Sequence, residues 1–199
     1  MFNQWLKNQQ RKNKKRMKTK IKKIVMFLAA ISVVSVLSAD DAESESTFYT
    51  SMGILPVRYL ELPGPDVNVK MLRLNLLAGC HKSMYGLDVG SVGNWTTGGS
   101  GGILLAGGYN VCQKKCCGLQ LSCVNFTEDA HYGMQMGVVD MTWGIRGLQL
   151  GLVNVTSEGA GMQIGLYNVA EDFSGLQLGL INMNIASPMM MMPIMNVWF

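Results

Sequence analysis

The residues with the chemistry to catalyse or to hold a metal are few: five cysteines, two histidines and two carboxylates set among apolar segments. Cys80, Cys112, Cys116, Cys117 and Cys123 are open to oxidation outside a reducing compartment. Cys112 and Cys117 flank Gln113-Lys114-Lys115, which makes them the expected disulfide pair across that turn. An odd total leaves at least one thiol unpaired. Cys112, Cys116, Cys117 and His81 are the metal alternative, but their spacing matches no regular zinc pattern, so no metal or cofactor site is expected. His81 and His131 fall in turn-like sequence with no nucleophile elbow beside them. No catalytic residue is assigned, and a non-enzymatic protein is expected.

The other candidates reduce to structure. Gly98-Gly99-Ser100-Gly101-Gly102 lacks the Lys and the helix of a phosphate loop and reads as a flexible link. The methionines at 189–192 read as adaptable apolar side chains of a strand rather than as soft copper ligands. Asn94, Asn125 and Asn154 each begin a glycosylation sequon, but the turn-forming ability of Asn explains them more simply. Asp88 and Asp140 stand where a repeat elsewhere has Gln or Asn, so they read as substitutions in that repeat.

That repeat dominates the chain. Residues 147–154 read Gly-Leu-Gln-Leu-Gly-Leu-Val-Asn, and near-copies follow at 161–168 and 175–182, a spacing of 14 residues. The invariant positions are Gly147, Gln149, Gly151 and Asn154; Gly161, Gln163, Gly165 and Asn168; and Gly175, Gln177, Gly179 and Asn182. Two earlier copies keep most of them, as Gly118, Gln120 and Asn125, and as Gly133, Gln135 and Gly137 followed by Asp140. Segments from Met71, Gly86 and Gly102 keep the alternation, with Arg73, Asp88 and Leu104 or Leu105 near the Gln position. Asn196 falls 14 residues after Asn182 and suggests a final, atypical copy.

Side chains alternate with period two inside each copy, which is a strand signature. Leu148, Leu150 and Leu152 form one face, and Gly147, Gln149, Gly151 and Val153 the other. Polar links such as Thr156-Ser157-Glu158-Gly159 have turn composition. A copy read as about nine residues of strand spans roughly 30 Å, whereas five linking residues reach at most about 17 Å. A return for parallel stacking is therefore too long, unless the chain bends inside the motif at its glycines or Asn. The expected fold is all-β: an antiparallel up-and-down meander closing into a small barrel of about 9–10 strands, with a β-solenoid as the alternative. Strands of that length suit a membrane, with aliphatic side chains toward lipid and Gly and Gln filling a narrow interior. Phe126, Tyr132, Trp143 and Phe173 would supply an aromatic girdle.

Residues 1–39 read as a signal peptide: a basic head, an apolar run and a small-residue cleavage site before Asp40-Asp41. Met17 would begin a leader of more usual length. The apolar run falls short of the roughly 20 residues of a spanning helix, which argues against an uncleaved anchor. Residues 40–66 form an N-terminal segment with a possible first strand, and 67–199 the repeat β-domain. Ten of the 17 basic residues lie in the leader, leaving 7 Lys/Arg against 13 Asp/Glu, a net charge of −6. Those seven are scattered, so nucleic-acid binding is excluded.

The copies at Gly133, Gly147, Gly161 and Gly175, with the ending Pro193-Ile194-Met195-Asn196-Val197-Trp198-Phe199, resemble the bacterial surface-repeat family of spirochaetes and other two-membrane bacteria. The terminal Phe is similar to the closing strand of outer-membrane barrels. The resemblance implies an outer-membrane or cell-surface location and a structural or interaction role, with no activity. The membrane is the expected partner, and any protein or glycan partner is left open. The competing readings are a secreted or periplasmic β-solenoid that binds a partner, and a lipid-acting barrel enzyme.

Overall fold

The computed structural model describes residues 47–54, 61–62 and 66–199. The expected leader, 1–39, lies outside the described residues, as does most of the segment 40–66. The described chain is built of strands: β1 (Thr47–Gly53), β2 (Glu61–Leu62), β3 (Asn68–Asn75), β4 (Ala78–His81), β5 (Ser83–Gly90), β6 (Gly93–Thr96), β7 (Ser100–Ala106), β8 (Tyr109–Cys112), β9 (Cys116–Leu121), β10 (Val124–Met136), β11 (Val139–Leu150), β12 (Val153–Ile164), β13 (Tyr167–Asn184) and β14 (Met191–Trp198). Among the described residues there is no helix, and so none long and apolar enough to cross a membrane.

The strands pair in parallel and stack into a β-solenoid, which corrects the antiparallel barrel and takes the alternative. Gly118, Gly133, Gly147, Gly161 and Gly175 lie in register on successive strands. So do Gln120, Gln135, Gln149, Gln163 and Gln177. Antiparallel pairing closes the two ends, β1 with β2 and β13 with β14.

The error lay in the length of strand. The motif is not one straight strand, because it turns at its second glycine. In one coil, residues 145–150 lie in a long ladder, Gly151 and Leu152 make an apolar corner, and 153–156 return in a short ladder. Ser157 and Glu158 then make a polar corner before the next coil. The supposed five-residue link is thus itself half strand, and the return trip that looked too long is closed by two corners. Inside and outside were assigned correctly for the long ladder: the glutamines are buried and the leucines face out, half-exposed. They were reversed for the short ladder, where Asn154 points in and Val153 out.

From Gly86 onward each coil places a glycine at one left-handed position. Gly147 has φ of 145°, and a Cβ there would run into the carbonyl oxygen of Gly133 in the preceding coil. Coils stacked at about 4.8 Å leave no room for a side chain on that path. Met71, in the coil before Gly86, holds the same place with φ of 86°. It escapes the clash because β1 pairs with β3 through a bulge between Phe48 and Thr50.

The last segment is not a further coil. Asn196 pairs with Gln177, while Asn182 lies opposite Met192, so β14 is a cap running back along β13.

Candidate functional site: polar ladders inside, an apolar corner outside

The core is made of amides. Each glutamine of the long ladder donates from Nε2 to the Oε1 of the glutamine before it: Gln135 to Gln120 at 2.8 Å, Gln149 to Gln135 at 2.9 Å, Gln163 to Gln149 at 2.6 Å and Gln177 to Gln163 at 2.7 Å. A buried amide without partners costs about 1–3 kcal/mol, so a stack in which each amide serves its neighbours is the condition for placing them there. The ladder is flanked by Leu104 before Gln120 and by Asn196 after Gln177.

The asparagines of the short ladder run the other way. Asn94 donates to Asn110 at 3.0 Å, Asn110 to Asn125 at 3.1 Å, Asn154 to Asn168 at 2.7 Å and Asn168 to Asn182 at 2.7 Å. The second Nδ2 hydrogen fixes that direction, because it bonds a backbone carbonyl: Leu105 for Asn94, Ile164 for Asn154 and Leu178 for Asn168. The three sequon asparagines therefore sit in strands and are fully buried, not in turns. The ladder starts at Asn75, which reaches across from the long ladder into the space left by Gly79 and donates to Asn94 at 3.1 Å.

The first coils replace amides with charge. Arg73 and Asp88 stack in the glutamine position and form a buried ion pair, with Nε to Oδ1 at 2.7 Å. Arg73 also donates from Nη1 to His81 Nδ1 at 3.1 Å, and His81 Nε2 lies 2.9 Å from Ser51 Oγ. A guanidinium only donates, so Nδ1 accepts and the ring proton sits on Nε2, pointing at Ser51. That is the wrong polarity for a base activating a nucleophile, and Ser51, Arg73, His81 and Asp88 are all buried. The cluster locks the coil register. Sequence reasoning missed it, although the substitution of the Gln position by Arg and then Asp was visible 15 residues apart.

Both histidines lie on strands with their rings inward, not in turns. His131 is driven down to about 4 by burial, against which the backbone at Met134 and Gly118 acts weakly. Of the cysteines, Cys112 and Cys116 are buried together and Ser100 Oγ bonds both, at 3.3 and 3.1 Å, whereas Cys117 is exposed. Hydrogen bonding from Cys116 lowers the Cys112 thiol to about 7, and the same bond with burial pushes Cys116 up. The structure thus brings together a different pair from the expected Cys112 and Cys117. Among the described residues, no three His, Cys, Asp or Glu side chains gather to hold a metal, and His81 stacks two coils before Cys112 in the short ladder. Of the four residues expected in an aromatic girdle, Phe126 and Phe173 are buried, Trp143 is half-buried and Tyr132 is exposed.

The outside is polarised across the coil. The apolar corner carries Leu76 and Leu77, Val92, Gly107 and Gly108, Cys123, then Val138, Leu152, Leu166 and Leu180 in successive coils, with Leu152 51% and Leu180 63% exposed. The polar corner carries Lys82, Lys114, Lys115, Glu128, Asp129, Glu158, Glu171 and Asp172. Lys70 and Arg146, the outward charges of the long ladder, occupy the row beside that polar corner. Along eight coils the uncharged edge runs roughly 34 Å at about 4.8 Å per coil.

No protein-family model matches the chain, and no curated protein or solved structure matches it.

Proposed function

We propose that this chain is an exported, non-enzymatic β-solenoid that lies on a lipid surface at the cell envelope by its apolar corner. One observation carries the reading: amides fill the interior while aliphatic side chains line the outside, and the exposed charges Lys70, Lys82, Lys114, Lys115, Glu128, Asp129, Arg146, Glu158 and Asp172 keep to the opposite side of the coil. A monomer in water rarely leaves so long an apolar edge uncovered. Lipid suits it, because the row from Leu76 to Leu180 carries no charge and is aliphatic in six of its eight coils, Gly107-Gly108 and Cys123 being the exceptions, and the coil backbone is already paired within the stack. The leader pattern at 1–39 supports export, and the resemblance to surface-repeat proteins supports the outer membrane as the lipid in question.

The test is fractionation of cells followed by flotation of the purified mature protein with liposomes of neutral phospholipid. The expected result is an envelope protein released by detergent but not by high salt, which floats with vesicles. The variant Leu152→Gln/Leu166→Gln/Leu180→Gln should keep its β-sheet circular dichroism and lose flotation. A protein found in the soluble fraction that does not float would overturn the proposal.

A further inference from the structure

The asparagine ladder has one break, and the break is chemically specific. Around the second glycine of the last four coils, Gly137, Gly151, Gly165 and Gly179, two side-chain atoms converge on the place where a Cβ would stand. At Gly165 they are Asn154 Nδ2 and Asn168 Oδ1, at 2.7 and 3.2 Å. At Gly179 they are Asn168 Nδ2 and Asn182 Oδ1, at 2.7 and 3.2 Å, and at Gly137 they are Asn125 Nδ2 and Asp140 Oδ1, each at 2.9 Å. Each of these is a donor with an acceptor, and each pair is hydrogen bonded.

At Gly151 the two atoms are both oxygens: Asp140 Oδ2 at 2.9 Å and Asn154 Oδ1 at 2.8 Å, with the Gly137 carbonyl oxygen at 3.1 Å. Both side-chain atoms are buried without a hydrogen-bond partner. Turning the Asn154 amide over does not repair this. Its Nδ2 is held by the Ile164 carbonyl at 2.9 Å and by Asn168 Oδ1 at 2.7 Å, and both bonds would be lost. Asp140 Oδ1 is likewise engaged, by Asn125 at 2.7 Å. One oxygen stands where every neighbouring coil has an N–H.

We infer that Asp140 is a proton-binding site: in the folded solenoid it is a carboxylic acid whose Oδ2–H donates to Asn154 Oδ1 and joins the two halves of the ladder. A protonated carboxyl both donates and accepts, so it imitates an asparagine. The proton comes from water and no other group changes. Independently, burial pushes this carboxyl up to about 7, against a smaller lowering by the Asn125 amide. The groups facing it are neutral: Asn125 on β10, Asn154 on β12 and the glycines of the apolar corner. His131 lies in the same coil but at the polar corner end of the long ladder, and Arg146 and Glu158 point outward.

The sign follows from linkage. The folded value lies above the unfolded 3.8, so the joint stabilises fully below pH 3.8 and is lost as pH rises through about 7. This joint is therefore tightest in acid, and raising the pH through about 7 opens the side-chain step between Asp140 and Asn154 while the glutamine ladder, Gln149 to Gln135, still runs across it.

The experiment compares urea unfolding of the mature protein with Asp140→Asn from pH 5 to 8. Asn restores the pattern of every other coil, so the variant should fold and lack the joint's pH dependence. The unfolding constant of wild type relative to Asp140→Asn should rise close to tenfold per pH unit up to about pH 7 and level off above it. Wild type at pH 5 should also show the infrared carbonyl band of a protonated carboxylic acid, absent from the variant. A ratio that stays constant with pH would overturn the inference. So would a wild-type stability at pH 5 that depends on Na⁺ or K⁺ and not on the Asp140→Asn change, since that would give the gap to a bound cation.

Discussion

Arg73 and Asp88 occupy one inward position in successive coils, the position that five later coils give to glutamine. Their ion pair is wholly buried, and such a pair is expensive to break but not needed for stability as such. Asp88→Asn, which strands the guanidinium, should cost about 3–5 kcal/mol. Arg73→Gln/Asp88→Gln, which extends the amide chemistry of the later coils, should fall within about 1–2 kcal/mol of wild type. Urea unfolding of both variants checks the contrast. Equal losses would mean that the charges themselves hold these coils.

Backbone strain gives a second prediction. Met71 has a left-handed φ of 86° at the glycine position, which costs an L-residue about 1–2 kcal/mol. Met71→Gly should therefore stabilise by about 1 kcal/mol, even though glycine loses more chain entropy on folding. Gly147→Ala should do the opposite and severely, because its Cβ meets the Gly133 carbonyl in a stack that cannot open locally. Thermal melts would show a rise for the first and a large fall, or loss of folding, for the second.

How much of this was legible in the sequence can be argued from two residues. Gln149 was placed correctly, because alternation from Gly147 to Leu152 is unbroken and puts it opposite three leucines. Asn154 reads in the sequence as a turn residue, and continuing the alternation would set it among the leucines, whereas it lies in a strand with its side chain inward. The contradiction was the sign of the bend: a polar residue in every copy in phase with the aliphatic face means that the phase slips between Leu152 and Val153. The corner itself was not legible. A glycine and a leucine carry no turn signature of their own, and what makes the turn is the asparagine that bonds the carbonyl of Ile164, ten residues on. The Asn94 and Asn110 steps of the ladder keep spacings of 16 and 15 residues and were within reach of the same count. The Arg73 to His81 contact, by contrast, joins two ladders and has no periodic trace.

The thiols give a third prediction. After oxidation by a small disulfide such as oxidised glutathione, the two sulfurs shared by Ser100 should become one bond, each thiol giving up a proton and an electron to the acceptor. Cys112, whose thiol is lowered to about 7, is the attacking sulfur, and because both thiols are buried the bond should form only as fast as this corner of the coil opens. Cys117→Ser should leave this bond intact, and Cys116→Ser should abolish it, as read by peptide mass mapping without reductant. A bond that disappears with Cys117→Ser would restore the pairing expected from spacing alone.

The last prediction joins two buried groups of opposite habit. His131 is held at about 4 against an ordinary 6.5, so between these values the unfolded chain binds one more proton and stability falls as pH drops. The loss is up to about 3 kcal/mol by linkage. Asp140 is raised to about 7 from 3.8, so over its window the folded chain binds the extra proton and stability falls as pH rises. Between about pH 4 and 6.5 the two slopes oppose each other, and wild type should be nearly flat. Above 6.5 only Asp140 still acts, and stability should decline toward pH 7. Removing one partner exposes the other: Asp140→Asn should lose stability on acidification, and adding His131→Leu should flatten it again. Urea midpoints at half-unit pH steps would reveal this. An Asp140→Asn profile that stays flat in acid would show that His131 takes up its proton as readily folded as unfolded.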